Sequence, residues 1–285
     1  MNLKHLLPKR SKLKRWFYIL SISLGIFIFC LIILNLIFPF KFTLSYSTVV
    51  TDSKGNVIHA FLNKQDKWRM KAEASEISPL LKKTILFKED RYFYYHFGVN
   101  PISLLRSMVQ NIYKQKRVSG ASTITMQVVR MMRNNPPRTF LEKIEEMILA
   151  TRVECSYSKR EILQMYFSNA PFGNNVVGLS AASWRYYGKS PQHLSWAESA
   201  TLAVLPNAPG LIYPGKNHDR LLNKRNRLLK TLLLQSDIDS IQYYLAVAEP
   251  LPVKPLPLPQ ENNQLLQRFI SQGNAGQTMS TSIQS

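Results

Sequence analysis

The first strong pattern in the chain is an apolar run near the N-terminus. Residues 17–38 form 22 consecutive positions without a charged side chain, and Pro39 follows them. Because about 20 apolar residues are needed to cross the bilayer core as a helix, this run predicts a transmembrane helix. A cleaved signal peptide is the alternative, but its apolar region spans roughly 7–15 residues before a small-residue cleavage site. The run is longer and offers no such site, so an uncleaved anchor is expected.

The residues before this run predict its orientation. Residues 1–16 contain six lysine and arginine residues and no acidic residue. Since positively charged flanks stay on the cytoplasmic side, the N-terminus is expected in the cytoplasm. The chain from residue 39 onward is then expected on the outer side of the membrane.

Beyond this run, short β-type patterns give way to helical spacing. β-branched runs at 48–51 and 57–61 flank a Gly/Asn turn, which predicts a β-hairpin. From residue 78 to about 234 helical spacing dominates, and Ser-x-x-Glu capping boxes at Ser158 and Ser195 predict helix starts.

The last part of the chain differs from this helical body. Residues 249–259 are rich in proline and predict an extended linker, and the polar residues after them show no evident core. The predicted organisation is a cytoplasmic basic tail, a transmembrane anchor, a domain, and a linker with a C-terminal tail, at 1–16, 17–38, 39–234 and 235–285 respectively.

Composition indicates a globular protein with an anionic partner. Of 285 residues 45% are hydrophobic, with 11 Gly and 16 Pro, which excludes collagen-like, low-complexity and disordered classes. Cys30 and Cys155 are too few for a disulfide framework or a thiolate metal site. The net charge is +20, of which +14 follows the apolar run. Because nucleic acid is scarce outside the cell, a lipid head group or a phosphorylated lipid is the expected partner, and nucleic acid is not.

Two adjacent carboxylates among aromatic residues form the first candidate site. Glu89 and Asp90 lie between Lys88 and Arg91, and five aromatic residues and a histidine follow within residues 92–97. A carboxylate with apolar neighbours loses hydration, so its pKa rises toward a value that suits acid–base catalysis. The alternative is a helix end at which the two carboxylates pair with Lys88 and Arg91.

Hydroxyl side chains next to arginines form the second candidate site. Residues 120–127 read Gly-Ala-Ser-Thr-Ile-Thr-Met-Gln, and Arg130 and Arg133 follow. Hydroxyls and an amide can orient a diphosphate, and guanidinium groups can bind its charge in a bidentate manner. An ordinary Ser/Thr helix cap is the alternative.

The third candidate site lies on a predicted helix at 138–150. Lys143 and Glu146 occupy a face beside its apolar stripe, which consists of Phe140, Leu141, Ile144, Ile148 and Thr151. An exposed charged face is the alternative interpretation.

In this order, the pieces resemble the family 51 peptidoglycan glycosyltransferases, the membrane-anchored polymerases of bacterial cell walls. The resemblance runs from about residue 48 to 234. The family's first motif, Glu-Asp-Arg-x-Phe-x-x-His-x-Gly, is complete at 89–98. Its second motif, Gly-x-Ser-Thr-Ile-Thr-x-Gln, is present at 120–127, with Met126 where glutamine is usual.

Two further motifs extend the resemblance. The third, Arg-Lys-x-x-Glu, retains Lys143 and Glu146 but has Glu142 at the arginine position. The fourth runs from residue 158 to 173, with Ser168 where asparagine is usual. The segments most similar to the C-type of the bifunctional class A penicillin-binding proteins are 170–173, 181–184 and 202–206.

The resemblance implies a fold and a set of roles. The fold is a mainly α, lysozyme-like glycosyltransferase domain with a small β segment at its start, one preceding transmembrane helix, and a membrane-dipping jaw at about 98–118. Glu89 is implied to be the base that deprotonates the 4-hydroxyl of the acceptor sugar, and Glu146 to assist departure of the lipid diphosphate. The residues implied to bind the diphosphate or the glycan are Thr123, Gln127, Arg130, Arg138 and Lys143. Glu142 replaces a cation, which implies weaker phosphate binding at that point.

The implied reaction is polymerisation of lipid II into β-1,4-linked strands by inverting transfer from a polyprenyl diphosphate. A divalent cation, magnesium or manganese, is expected with the substrate diphosphate, and neither a metal site of the protein's own nor an organic cofactor is expected. The expected partners are lipid II, the growing glycan strand, the bilayer and other cell-wall synthesis proteins. The implied location is the bacterial inner (plasma) membrane, with the catalytic domain on its periplasmic or outer face.

Class A members also carry a transpeptidase domain with Ser-x-x-Lys, Ser-x-Asn and Lys-Thr-Gly elements. Ser156 begins a Ser-x-x-Lys match, but it precedes a helix cap and the companion elements are missing, so this chain is expected to stop where that domain would begin.

Two alternatives to an active polymerase stay open. One is a lysozyme-like hydrolase. The other is an inactive remnant that acts as a membrane-bound cell-wall scaffold, which Glu142, Met126 and Ser168 favour.

Overall fold

The computed structural model describes residues 10–38, 44–115, 121–258 and 275–280. Within them the chain is mainly helical, as predicted, with short strands. The helices are α1 Arg10–Ile37, α2 Pro79–Glu89, α3 Pro101–Tyr113, α4 Ile124–Met132, α5 Phe140–Ser156, α6 Lys159–Asn169, α7 Leu179–Tyr187, α8 Trp196–Val204, α9 His218–Leu234 and α10 Ser240–Ala248. The strands are β1 Val49–Thr51, β2 Val57–Ala60, β3 Trp68–Arg69, β4 Pro171–Gly173, β5 Val176–Val177 and β6 Thr278–Ser280.

Local capping chemistry sets the starts of two helices as the sequence predicts. The Ser158 side chain accepts a hydrogen bond from the Glu161 N–H, while the Glu161 carboxylate accepts one from the Ser158 N–H, and α6 begins there. Ser195 and Glu198 form the same reciprocal pair before α8. Both predicted capping boxes are therefore confirmed. Each one gives hydrogen-bond partners to amide groups that a helix start would otherwise leave without any.

Helix α8 forms the centre of the core. Its residues 197–204 are all buried, and their small side chains allow neighbouring helices to approach closely. Helices α2 and α9 pack against α8, while α4 packs against both α5 and α6. Hydrogen bonds from Ile124 to Asp90 and from Gln127 to Glu89 join the end of α2 to α4, which is where the candidate residues lie.

The predicted β-hairpin is confirmed, and the polar tail adds a strand to it. Strands β1 and β2 pair antiparallel, with Val49 opposite Ala60. Strand β6 pairs in parallel with β1, with Val50 opposite Met279. The polar tail therefore contributes to the fold, contrary to expectation, because the backbone can pair in a sheet without an apolar side-chain pattern. A second small sheet has the order β3-β5-β4.

Region 235–285, predicted as a linker and tail, also contains helix α10 and a packed segment. Helix α10 packs against α8 and α9. Residues 251–258 form neither helix nor strand, but Leu251 and Leu258 are buried and the Leu256 N–H donates to the Arg185 carbonyl. Leucines that alternate with prolines supply apolar contacts, so this segment lies against the domain.

Helix α1 comprises 28 residues and includes residues 17–37 of the predicted anchor. Within the described residues, no helix qualifies as long and apolar enough to cross a membrane. The transmembrane anchor and its orientation stay predictions. Part of the predicted basic tail, residues 1–9, lies outside the described residues.

Helix α3 occupies most of the predicted jaw at 98–118, of which residues 116–118 lie outside the described part. The helix starts at Pro101 after an Asn100 cap, and Ser107 is its one buried residue. Large apolar side chains are instead exposed along it, namely Ile102, Leu105, Met108, Val109 and Ile112. An exposed apolar face of this kind typically contacts another molecule.

Candidate active site

Glu89 is the last residue of α2, and its two carboxylate oxygens have different surroundings. Oε2 accepts a hydrogen bond of 2.9 Å from the Gln127 side-chain amide on α4. Oε1 is buried and has no hydrogen-bond partner within the described residues. Burial raises the pKa of Glu89, as does the Asp90 charge, although the Gln127 hydrogen bond and Lys88 act in the opposite direction. The result is a desolvated carboxylate with one oxygen unpaired among the described residues.

Asp90 has a different environment from its neighbour. Its Oδ2 accepts the Ile124 N–H at 3.0 Å, at the start of α4, and both Oδ atoms lie 3.0 Å from His96 Nε2. The carboxylate thereby joins the loop after α2 to α4. The alternative pairing with Lys88 and Arg91 is not what the described part of the chain shows. Arg91 instead lies 5.3 Å from the centre of the Phe87 ring.

Thr123 connects the first two motifs from a buried position. Its hydroxyl donates to the Gly98 carbonyl at 2.5 Å and accepts the Met126 N–H at 3.1 Å, which caps α4. The helix-cap alternative is therefore what the structure shows for Thr123, and its contact with substrate stays a prediction. Gly98 has φ +78°, and a Cβ atom there would lie 2.7 Å from the Ala150 carbonyl oxygen, so only glycine fits. Gly120, the start of the second motif, lies outside the described residues.

Glu146 lies among the predicted cations. It is 5% exposed, and its Oε1 is 3.4 Å from Arg130 Nη1. Burial raises the pKa of Glu146, and the charges of Arg130, Arg138 and Lys143 counteract part of that rise. Three residues that the family resemblance implies for the diphosphate or the glycan are thus electrostatic neighbours of the second carboxylate. Arg130 is further fixed by donating from Nη2 to the Pro136 carbonyl at 2.7 Å.

Glu142, which stands at the family's arginine position, has a cationic partner of its own. Its Oε2 is 2.6 Å from Arg133 Nη1, and Glu145 Oε2 is 2.9 Å from Arg133 Nη2. Arg133, a candidate phosphate ligand from sequence, is therefore held between two carboxylates. Glu145 was not singled out from the sequence, although its position three residues after Glu142 places both on one face of α5.

A partly buried ion pair behind the site was also missed. Glu154 Oε1 accepts the Thr125 hydroxyl at 2.6 Å and the Lys159 ammonium at 2.7 Å. Lys159 also donates to the His96 carbonyl at 2.7 Å. The sequence spacing could have indicated Glu154, because it lies eight residues after Glu146 and so on the same side of α5. Lys159 and Glu154 join parts of the first, second and fourth motifs.

Comparison with known proteins identifies the family. The family model described as Transglycosylase matches residues 54–233. The chain is 38% identical over 212 residues to penicillin-binding protein 1C of Escherichia coli K12, covering 74% of this chain and 27% of that protein. It is 37% identical over 166 residues to penicillin-binding protein 1A of Aquifex aeolicus, covering 58% of this chain and 23% of that protein. A crystal structure of penicillin-binding protein 1A from Haemophilus influenzae aligns with a TM-score of 0.44 at 18% identity, covering 86% and 28%.

The chain belongs to the transglycosylase family, because the family model matches more than half of it. This membership confirms the family predicted from the four motifs, and it supports the predicted enzyme class, a hexosyltransferase. The matched region spans about a quarter of the length of these curated relatives.

Proposed function

We propose that this protein is a peptidoglycan glycosyltransferase that polymerises lipid II into β-1,4-linked glycan strands. The observation that carries the proposal is the presence of two desolvated carboxylates in contrasting environments. Glu89 lies beside a neutral amide, whereas Glu146 is surrounded by cations. A transfer reaction that needs a base at one substrate and charge neutralisation at another matches this contrast.

In this proposal Glu89 accepts the proton of the acceptor's 4-hydroxyl. A general base must be ionised when the substrate arrives, and it works best when its pKa is close to the ambient pH. Burial moves the pKa of Glu89 in that direction. The Gln127 amide holds Oε2, so the carboxylate keeps a fixed orientation and Oε1 is left for the proton.

The cations around Glu146 are proposed to bind the diphosphate of the donor. Guanidinium groups such as Arg130 and Arg138 bind phosphate oxygens in a bidentate manner, and Lys143 adds a compact charge. Together they would stabilise the negative charge that develops on the leaving diphosphate. A single in-line displacement by the acceptor oxygen would then invert the anomeric centre.

A divalent cation is proposed to arrive with the substrate. The described residues contain no group of three or more metal-ligating side chains. A magnesium ion carried by phosphates needs only one or two carboxylates from the protein, and Glu146 would be the carboxylate in reach of a diphosphate held by these cations. The ion would supply further neutralisation of the leaving group.

The alternatives fit the site less well. A hydrolase has no need of three cations around its second carboxylate, because its leaving group carries no diphosphate. Two of the three departures that favour an inactive remnant are accommodated by the fold. Met126 is buried in the core, and the Ser168 hydroxyl accepts the Ala72 N–H at 3.0 Å. Neither change removes a charge from the site.

We also propose that the protein acts at the surface of the bacterial inner membrane. The uncharged run at 17–38 with six preceding cations supports an anchor with a cytoplasmic N-terminus. The exposed apolar residues of α3 support a second contact with the bilayer. Because the polyprenyl chain of the substrate stays in lipid, both contacts would keep the site at head-group level.

The decisive experiment is polymerisation of labelled lipid II by the purified full chain in detergent micelles with magnesium. The parent protein is expected to form long glycan strands, and Glu89→Gln to slow polymerisation by about 10²–10⁴-fold, as loss of general acid–base catalysis does. Glu73→Gln, at an exposed carboxylate, is the matched control and is expected to polymerise normally. Failure of the folded parent to polymerise while it still binds lipid II would favour the scaffold alternative.

A further inference from the structure

Tyr166 on α6 carries a polar atom that the reaction described above does not use. Its side chain is fully buried, and its hydroxyl has no hydrogen-bond partner within the described residues. Buried polar groups are nearly always paired, because desolvation without a hydrogen bond costs free energy. A hydroxyl at the centre of a core without a partner therefore calls for an explanation.

Glu89 carries a second buried polar atom, Oε1 of its carboxylate, without a hydrogen-bond partner among the described residues. Helix α6 packs against α4, and α4 carries the Gln127 amide that holds the other oxygen of Glu89. An unpaired donor and an unpaired acceptor thus lie on two helices, α6 and α2, that both contact α4.

Electrostatics agree with this placement. Burial raises the pKa of Tyr166 well above its ordinary value, and the negative charge of Glu89 raises it further. The phenol therefore stays protonated across the physiological range and remains a donor. A carboxylate that receives a hydrogen bond is stabilised in its charged form, so the donor opposes the desolvation of Glu89.

We propose that Tyr166 is a positioning residue for the base, with its hydroxyl donating to Oε1 of Glu89 across one water molecule, because the structure shows no direct hydrogen bond between the two atoms. The proposal rests on the proposed role of Glu89. Tyr166 would touch neither sugar; it would keep the carboxylate ionised and fix its orientation until the acceptor hydroxyl replaces or joins this contact.

The test is Tyr166→Phe in the full chain, with the pH dependence of polymerisation as the readout. Loss of a hydrogen bond to a charged group is expected to move the acid limb of the profile to higher pH by about one unit, with KM for lipid II unchanged. Tyr186→Phe is the matched control. That phenol is equally buried but donates to the Phe172 carbonyl at 3.0 Å, so its loss is expected to lower stability and leave the limb in place.

A second measurement separates this proposal from the proposed activity. Infrared titration of the carboxyl band that disappears in Glu89→Gln reports the protonation of Glu89 whether or not the chain polymerises lipid II. The band is expected to titrate at higher pH in Tyr166→Phe than in the parent. The proposal would be overturned if the band did not shift. It would also be overturned if Tyr166→Phe lowered the polymerisation rate by the same factor at every pH and left the acid limb in place.

Discussion

Replacing Asp90 with alanine is expected to destabilise the fold, whereas Glu89→Gln one residue earlier is not. The change Asp90→Ala removes the acceptor for the Ile124 N–H and for His96 Nε2, both at 3.0 Å. These two donors lie in the buried junction between the end of α2 and the start of α4. Solvent cannot replace the lost carboxylate there without opening the junction.

The size of the effect follows from the two donors. A buried donor left without a partner costs about 1–3 kcal/mol, so the loss is about 2–6 kcal/mol. A change of His96 tautomer would not offset this loss, because Nδ1 of His96 is also buried without a hydrogen-bond partner among the described residues. Because domains are stable by about 5–15 kcal/mol, even the lower value is a large fraction of the total.

Glu89→Gln retains an acceptor for the Gln127 amide and removes a buried charge. The folded-state pKa of Glu89 is raised above the ordinary value of 4.5. A carboxyl group that binds its proton more tightly in the folded state loses stability as the pH rises through its folded pKa. The parent protein should therefore be no more stable than Glu89→Gln at neutral pH. Any difference between their free energies of unfolding should shrink as the pH approaches 4.5.

Urea unfolding in detergent micelles, followed by fluorescence of the four tryptophans, measures both effects. Parallel polymerisation assays show which variant loses activity without losing stability. The division of roles would be refuted if Asp90→Ala unfolded within about 1 kcal/mol of the parent. It would equally be refuted if Glu89→Gln were destabilised as much as Asp90→Ala.

Three further changes test other parts of the site. Arg138→Ala, at an exposed side chain near Glu146, should raise KM for lipid II about tenfold and leave the melting temperature unchanged, since it removes a charge-assisted phosphate contact. Glu142→Gln should release Arg133 from one carboxylate and lower KM a few-fold, and a higher KM would contradict this. Gly98→Ala should lower the melting temperature and disturb the Thr123 cap, because its Cβ atom would clash with the Ala150 backbone; circular dichroism on heating measures the loss.

The parts of the fold that local sequence determines were predictable, and those that depend on distant partners were not. The capping boxes at Ser158 and Ser195 and the hairpin each involve residues that are close in the chain. Strand β6 pairs with β1 across more than 200 residues, and its own sequence is polar, so no local pattern indicated it. Leu251 and Leu258 pack similarly, through contacts that a proline-rich pattern does not specify.

The site shows the same division. The motifs pointed to Glu89, Gln127 and Glu146, and the structure places Gln127 on Glu89 and cations around Glu146. Composition did not distinguish Glu89 from Asp90, since adjacent residues share their neighbours, and only the family resemblance singled out Glu89. Their roles diverge because α2 ends at Glu89, so the Asp90 side chain leaves the helix and reaches the start of α4.

Glu142 illustrates how a departure from a family pattern can be judged by its charge environment. Around Glu146 the cations are Arg130, Arg133, Arg138 and Lys143, and the other carboxylates are Glu142 and Glu145. The site therefore keeps a net positive charge, which still attracts a diphosphate. The ion pairs with Arg133 are partly exposed and contribute at most about 1 kcal/mol each to stability, so they do not make Glu142 indispensable to the fold. In the proposed mechanism Glu142 would therefore adjust phosphate affinity, while activity would depend on Glu89 as the base.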